Sequence, residues 1–119
     1  MKKTLVLGAS ENTERYSNKA VNKLRIYGHE VIAVGRKAGK IGDLAIQESM
    51  PEGNDIDTLT LYLNPENQKP YYESIIALHP KRIIFNPGTE NPELYELAHK
   101  NNIETIEACT LVLLSVGDY

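Results

Sequence analysis

The residues best placed to do chemistry lie near the start of the chain: Gly8-Ala9-Ser10, followed by Arg15, Ser17 and Lys19. A small-residue turn offers backbone N–H groups, serine offers a hydroxyl, and the two cations offer charge. Together they suit a phosphate, because anions dock where unpaired N–H groups meet a helix N-terminus. The full fingerprint G-x-G-x-x-G is not met. Gly8-Ala9-Ser10-Glu11-Asn12-Thr13 has one glycine where that pattern has three. Helical periodicity begins only around Ser17, so the loop is longer and wider than the fingerprint requires. The alternative reading is an ordinary strand-to-helix connection.

A second apolar run ends in Val34-Gly35-Arg36. NAD sites carry an acid at that point for the ribose hydroxyls. An arginine instead suits a ligand with an extra ribose phosphate, either NADP or the 3′-phosphate of coenzyme A, since guanidinium and phosphate pair bidentately. Lys37 and Lys40 read as solvated members of a basic loop. Two further turns, Tyr62-Leu63-Asn64 and Asn86-Pro87-Gly88, end later apolar runs and complete the candidate crevice. Other reactive side chains are isolated. His29, His79 and His99 have no partner at metal-ligand spacing, and Cys109 reads as a buried, inert thiol. No acid–base constellation for catalysis emerges, so no catalytic or metal-binding residue is assigned.

The elements that must position these turns follow from periodicity. Short apolar runs at 4–7, 31–35, 57–63, 81–86 and 103–108 predict buried strands. Ala20, Val21, Leu24 and Tyr27 make one helical face, with Ser17 as its expected N-cap. Asn64-Pro65 and Asn91-Pro92 each read as an N-cap followed by a first-turn proline. Residues 111–116 predict a terminal helix. Strands alternating with helices give an α/β class: a Rossmann-like, doubly wound, parallel five-stranded sheet with helices on both faces. The expected order is 3-2-1-4-5, with the ligand crevice at a switch between strands 1 and 4. All of 1–119 forms one domain.

Composition narrows the partners. A formal net charge of -3 argues against nucleic acid, which favours a basic excess. The first apolar run, Leu5-Val6-Leu7, is too short for a signal-peptide core or a membrane span, so the expected location is cytoplasmic with no membrane partner. The single cysteine excludes an internal disulfide.

In order and spacing, four stretches resemble the stand-alone bacterial CoA-binding domain proteins. They are Val6-Leu7-Gly8-Ala9-Ser10, Glu14-Arg15-Tyr16-Ser17-Asn18-Lys19-Ala20, Gly28-His29-Glu30-Val31-Ile32-Ala33-Val34 and Ile106-Glu107-Ala108-Cys109-Thr110-Leu111. These proteins are similar to the N-terminal CoA-binding domain of the succinyl-CoA synthetase alpha subunit. The resemblance implies coenzyme A lying across the strand ends. Gly8, Ala9, Ser10, Ser17 and Lys19 would approach phosphates. Val34, Gly35 and Arg36 would line the nucleotide end, and Tyr62, Leu63, Asn64, Asn86, Pro87 and Gly88 the crevice. Gly35-Arg36 stands where relatives commonly have Asn-Pro, and Asn86-Pro87-Gly88 replaces a Gln-containing turn. The expected function is a binding protein for CoA or an acyl-CoA with no chemistry of its own. An NADP-type reductase, a CoA-ligase subunit and a regulatory protein with a decayed pocket stand as alternatives. A homodimer or a partner subunit is compatible with each.

Overall fold

The computed structural model describes residues 1–119. In chain order its elements are β1 (Thr4–Leu7), α1 (Tyr16–Ile26), β2 (Val31–Val34), β3 (Gly39–Ile41), β4 (Leu44–Gln47), β5 (Thr58–Leu61), α2 (Pro65–Gln68), a 3-10 turn (Lys69–Tyr71), α3 (Tyr72–Leu78), β6 (Arg82–Phe85), α4 (Pro92–Lys100), β7 (Glu104–Glu107) and α5 (Thr110–Val116). The α/β class and the Rossmann-like layering are as the sequence predicts.

Strands β1 and β5 are continuous apolar or threonine-containing runs, and β6 is apolar from Ile83 on, because both faces of each are covered. Alternate side chains serve two cores. Leu5, Leu7, Leu59, Leu61, Ile83 and Phe85 pack with Ile75, Leu78, Leu94 and Ala98 under α3 and α4. Val6, Ala33 and Ile46 pack with Val21, Leu24 and Leu114 under α1 and α5.

The sheet has seven strands in the order β3-β4-β2-β1-β5-β6-β7. The expected five-stranded order, 3-2-1-4-5, is therefore corrected. The third predicted strand, β5, lies beside β1 rather than outside β2. The reason is a hairpin in a segment whose sequence shows only a basic loop over 36–42 and an irregular pattern over 43–54. β4 pairs parallel with β2 at Ala33↔Ile46, and β3 folds back on β4 antiparallel. That hairpin takes the place beyond β2, so the chain crosses to the free edge of β1. The switch point now falls between β1 and β5. The hairpin's two-residue Gly42-Asp43 turn is a recognised hairpin signal.

Both Asn-Pro signals hold. Asn64 caps α2 by accepting from the Asn67 N–H at 2.9 Å, and Asn91 accepts from the N–H groups of Glu93 and Leu94. Ser17 is not the cap of α1. The helix starts at Tyr16 after Arg15, and the Ser17 side chain is buried in the first turn.

At the amino ends of the strands, Tyr119 packs beneath the sheet. Its hydroxyl bonds Thr4, the Arg82 guanidinium lies 4.5 Å over its ring, and His29 meets it edge-on. Burial raises the Tyr119 phenol above its ordinary value of 10.0. Burial likewise raises the Tyr62 phenol, which follows the end of β5. A raised phenol binds its proton more tightly in the folded state. The stability this contributes is complete below pH 10.0 and is lost as pH climbs towards the folded-state values. Urea midpoints are therefore expected to hold level to about pH 9 and fall steeply above 10. Tyr119→Phe should shrink that alkaline loss, and an unchanged slope in that variant would rule Tyr119 out as a source.

Candidate functional site

The carboxyl ends of β1 and β5 diverge at the switch point and open a cleft of about 920 Å³. That volume is in the range of cofactor sites, roughly 300–1,000 Å³. Its floor and rim gather Gly8, Ala9, Ser10, Arg15, Ser17, Arg36, Tyr62, Leu63, Asn64, Pro87 and Gly88, all expected from the sequence. Glu11, Tyr16, Lys37, Ala38, Asn67 and Thr89 join them. The turn residues were legible from strand ends. The additions come from the long loop, the first turn of α1, the β2–β3 connection and the turns beyond β5 and β6.

Four of the predicted residues do not line the cleft. Lys19 lies one turn into α1, its ammonium 5.5 Å from the Tyr16 ring centre. Val34 is fully buried, but its carbonyl accepts from the N–H of Gly8 at 2.8 Å and of Ala9 at 3.0 Å. Val34 thus anchors the Gly8–Ser10 loop from behind. Gly35 does the same by packing: a Cβ there would stand 2.3 Å from the Ala9 carbonyl oxygen. Asn86 is buried, with its amide fully engaged. Nδ2 donates to Thr60 Oγ1 and to the Leu61 carbonyl, and Oδ1 accepts from the Thr110 N–H.

These contacts decide which backbone groups a ligand can use. The Gly8 and Ala9 amides are committed to Val34, so they are unavailable to a phosphate. Ser10 and the first-turn residues Tyr16, Ser17 and Asn18 have N–H groups with no partner in the chain. The loop is held against that helix end by Asn18, whose Nδ2 donates to the Ser10 carbonyl at 2.9 Å. Gly8 makes the sharp exit from β1 with φ +102°, a conformation only glycine adopts without strain, and it packs on the Tyr62 carbonyl. The Tyr62 hydroxyl is buried with no hydrogen-bond partner, because the neighbouring Thr60 and Thr110 hydroxyls bond each other at 2.8 Å.

The cleft's charge is the reverse of the protein's. Arg15, Arg36 and Lys37 face one carboxylate, Glu11, which is three cations against one anion, or +2, on a chain of formal net charge -3. None of the three cations has a carboxylate within ion-pair range. Elsewhere, Lys3 pairs with Asp55, Arg25 with Asp43, and Lys69 with Glu66. Preformed N–H groups at a helix end, ringed by unneutralised cations, can hold a multiply charged phosphate compound. No helix is long and apolar enough to cross a membrane.

Comparison with solved structures agrees with this architecture. A crystal structure of an uncharacterized protein superposes with a TM-score of 0.97 at 50% identity, covering 100% of this chain and 98% of that one. The structure of cell-free ID.343 from Thermus thermophilus has a TM-score of 0.85 at 20% identity, covering 99% and 90%. An acetyl-coenzyme A synthetase 1 from Ca. Korarchaeum cryptofilum, solved with phosphate and ADP, has a TM-score of 0.70 at 15% identity. It covers 89% of this chain and 25% of that one, and at this identity the likeness is one of fold. No curated protein matches the chain significantly. The sequence itself matches the CoA binding domain model over residues 2–115, nearly its whole length, and the chain therefore belongs to the CoA-binding domain family.

Proposed function

We propose that this protein binds coenzyme A or an acyl-CoA in the cleft at the β1/β5 switch point and performs no chemistry of its own, in a cytoplasmic setting. The observation that carries this is the unpaired trio Arg15, Arg36 and Lys37 around the free N–H groups of Ser10 and the α1 N-terminus. Coenzyme A has two phosphate groups in its pyrophosphate and a third on the ribose. In this reading the pyrophosphate lies on the helix end near Ser10 and Arg15, and Arg36 takes the 3′-phosphate. Family membership favours CoA over NADP for the same cations. The cleft contains no His, Cys or paired carboxylates to move a proton, which supports binding without catalysis.

Calorimetric titration tests this. CoA is expected to bind, with affinity falling as salt rises, and dephospho-CoA to bind about tenfold more weakly. Arg36→Ala should weaken CoA about tenfold and leave dephospho-CoA unchanged. Equal binding of the two by the native protein would remove Arg36 from the role. Tighter binding of NADPH than of CoA, or no binding of either, would overturn the reading.

A further inference from the structure

The two walls of the cleft touch at two glycines, and the second contact involves the cleft's one carboxylate. Gly35 seats against the Ala9 carbonyl at the start of the β2–β3 connection. At its end, Gly39 seats against Glu11: a Cβ on Gly39 would stand 2.4 Å from the Glu11 Cδ. Glu11 Oε2 then accepts from the Lys40 N–H at 3.0 Å. The segment Arg36-Lys37-Ala38 spans the gap between these two seats. Both of its ends are therefore fixed to the loop that runs from Gly8 to Glu11.

We infer that Glu11 is a positioning residue: it clamps the hairpin β3–β4 to the phosphate loop and so holds Arg36 and Lys37 at the distance a ribose phosphate requires. The inference rests on the CoA reading above. A carboxylate beside a phosphate site is unfavourable for an anionic ligand by simple repulsion, so its presence calls for a compensating role. The geometry supplies one. Glu11 forms no ion pair with Arg15, Arg36 or Lys37, which leaves those cations free, and it spends one oxygen on a backbone N–H of the facing wall. Fixing the backbone that carries the two cations lowers the ordering cost that this segment would otherwise bring to binding.

Three variants separate the parts of this role. Glu11→Gln keeps an acceptor for the Lys40 N–H and removes the charge. Glu11→Ala removes both. Gly39→Ala leaves Glu11 chemically intact but takes its seat. The obstructing atoms are the end of a flexible side chain, so Glu11 swings out and the fold survives. The readout is the ratio of dephospho-CoA to CoA dissociation constants, with amide hydrogen exchange at Lys40 in the free protein. Glu11→Gln is expected to keep Lys40 protected and to tighten CoA about two- to threefold. Glu11→Ala and Gly39→Ala should both expose Lys40 and cut the ratio about fivefold, with no further loss in the double variant.

Protection lost at Lys40 with the ratio unchanged would overturn the positioning role, as would Lys40 protection that survives Glu11→Ala. If the native protein binds no CoA, the binding reading fails first, and the exchange data still decide whether the clamp exists.

Discussion

Asn86→Ala is expected to lower the free energy of unfolding by about 3 kcal/mol, because it strips three buried hydrogen bonds at one stroke. The side chain bonds Thr60 Oγ1 at 2.7 Å, the Leu61 carbonyl at 2.8 Å and the Thr110 N–H at 2.9 Å. It thereby ties the end of β6 to β5 and to the start of α5. Alanine leaves the Thr110 N–H without a partner in a place water does not reach. With an unfolding entropy of about 2.1 cal/mol/K per residue, the melting temperature should drop by about 12 °C. Asn86→Asp should be no better. It keeps an acceptor for Thr110 but turns a carboxylate towards the Leu61 carbonyl. Calorimetric melting checks both variants, and a loss under about 1 kcal/mol for alanine would contradict the network. CoA affinity of the folded Asn86→Ala protein should stay within about twofold, since the side chain is spent inside the fold rather than on a ligand.

Gly35→Ala is expected to act on stability and binding together. A methyl at this position would stand 2.3 Å from the Ala9 carbonyl oxygen and 3.0 Å from Ile46 Cγ2. Neither obstacle can rotate away: one is backbone, and the other is a core side chain 3% exposed. β1's loop and β2's exit must part. The expected cost is about 2–3 kcal/mol in urea unfolding. CoA binding should weaken at least tenfold beyond Arg36→Ala, because the phosphate loop and the cation segment move apart as wholes. The contrast with Gly39→Ala is diagnostic. There the neighbour is a mobile side-chain end, and stability should fall by no more than about 0.5 kcal/mol. Similar stability losses at the two glycines would mean that the Ala9 contact is softer than its geometry indicates.

Much of the fold was legible in the sequence because the central strands are buried on both faces. Runs such as Val31–Val34 and Arg82–Phe85 have few other ways to satisfy their side chains, and Asn64-Pro65 and Asn91-Pro92 mark helix starts by their own chemistry. Strand order was not legible, because a strand's pattern records that it is buried and not which neighbour buries it. Here the order turned on β3 and β4, whose Lys40 and Ala45 face outward, unlike the fully buried residues of β1 and β5. Strands half-exposed in this way carry too few apolar positions to show a period, and only the Gly42-Asp43 turn betrays them. At the site, strand-end turns located the cleft. Glu11, Asn67 and Thr89 escaped because their places depend on contacts across elements. Val34, Gly35 and Asn86 proved to support the cleft from behind, which no linear spacing distinguishes from lining it.

The hairpin β3–β4 also sets the order in which this molecule can assemble. It is the one strand pair joined by a two-residue turn; every other pairing is parallel and must wait for a crossover to close. Hairpins close in about 1–10 μs, whereas non-local parallel pairings come orders of magnitude later. Slippage between β3 and β4 would thus be an early error, made before pairing with β2 can correct it. The parallel β2–β4 register, Ala33 on Ile46 and Val34 on Gln47, accommodates only one alignment of that hairpin. A folding transition state with β1, β2 and β5 already paired and the hairpin docking afterwards would leave mutations at Ile46 changing the unfolding rate far more than the folding rate.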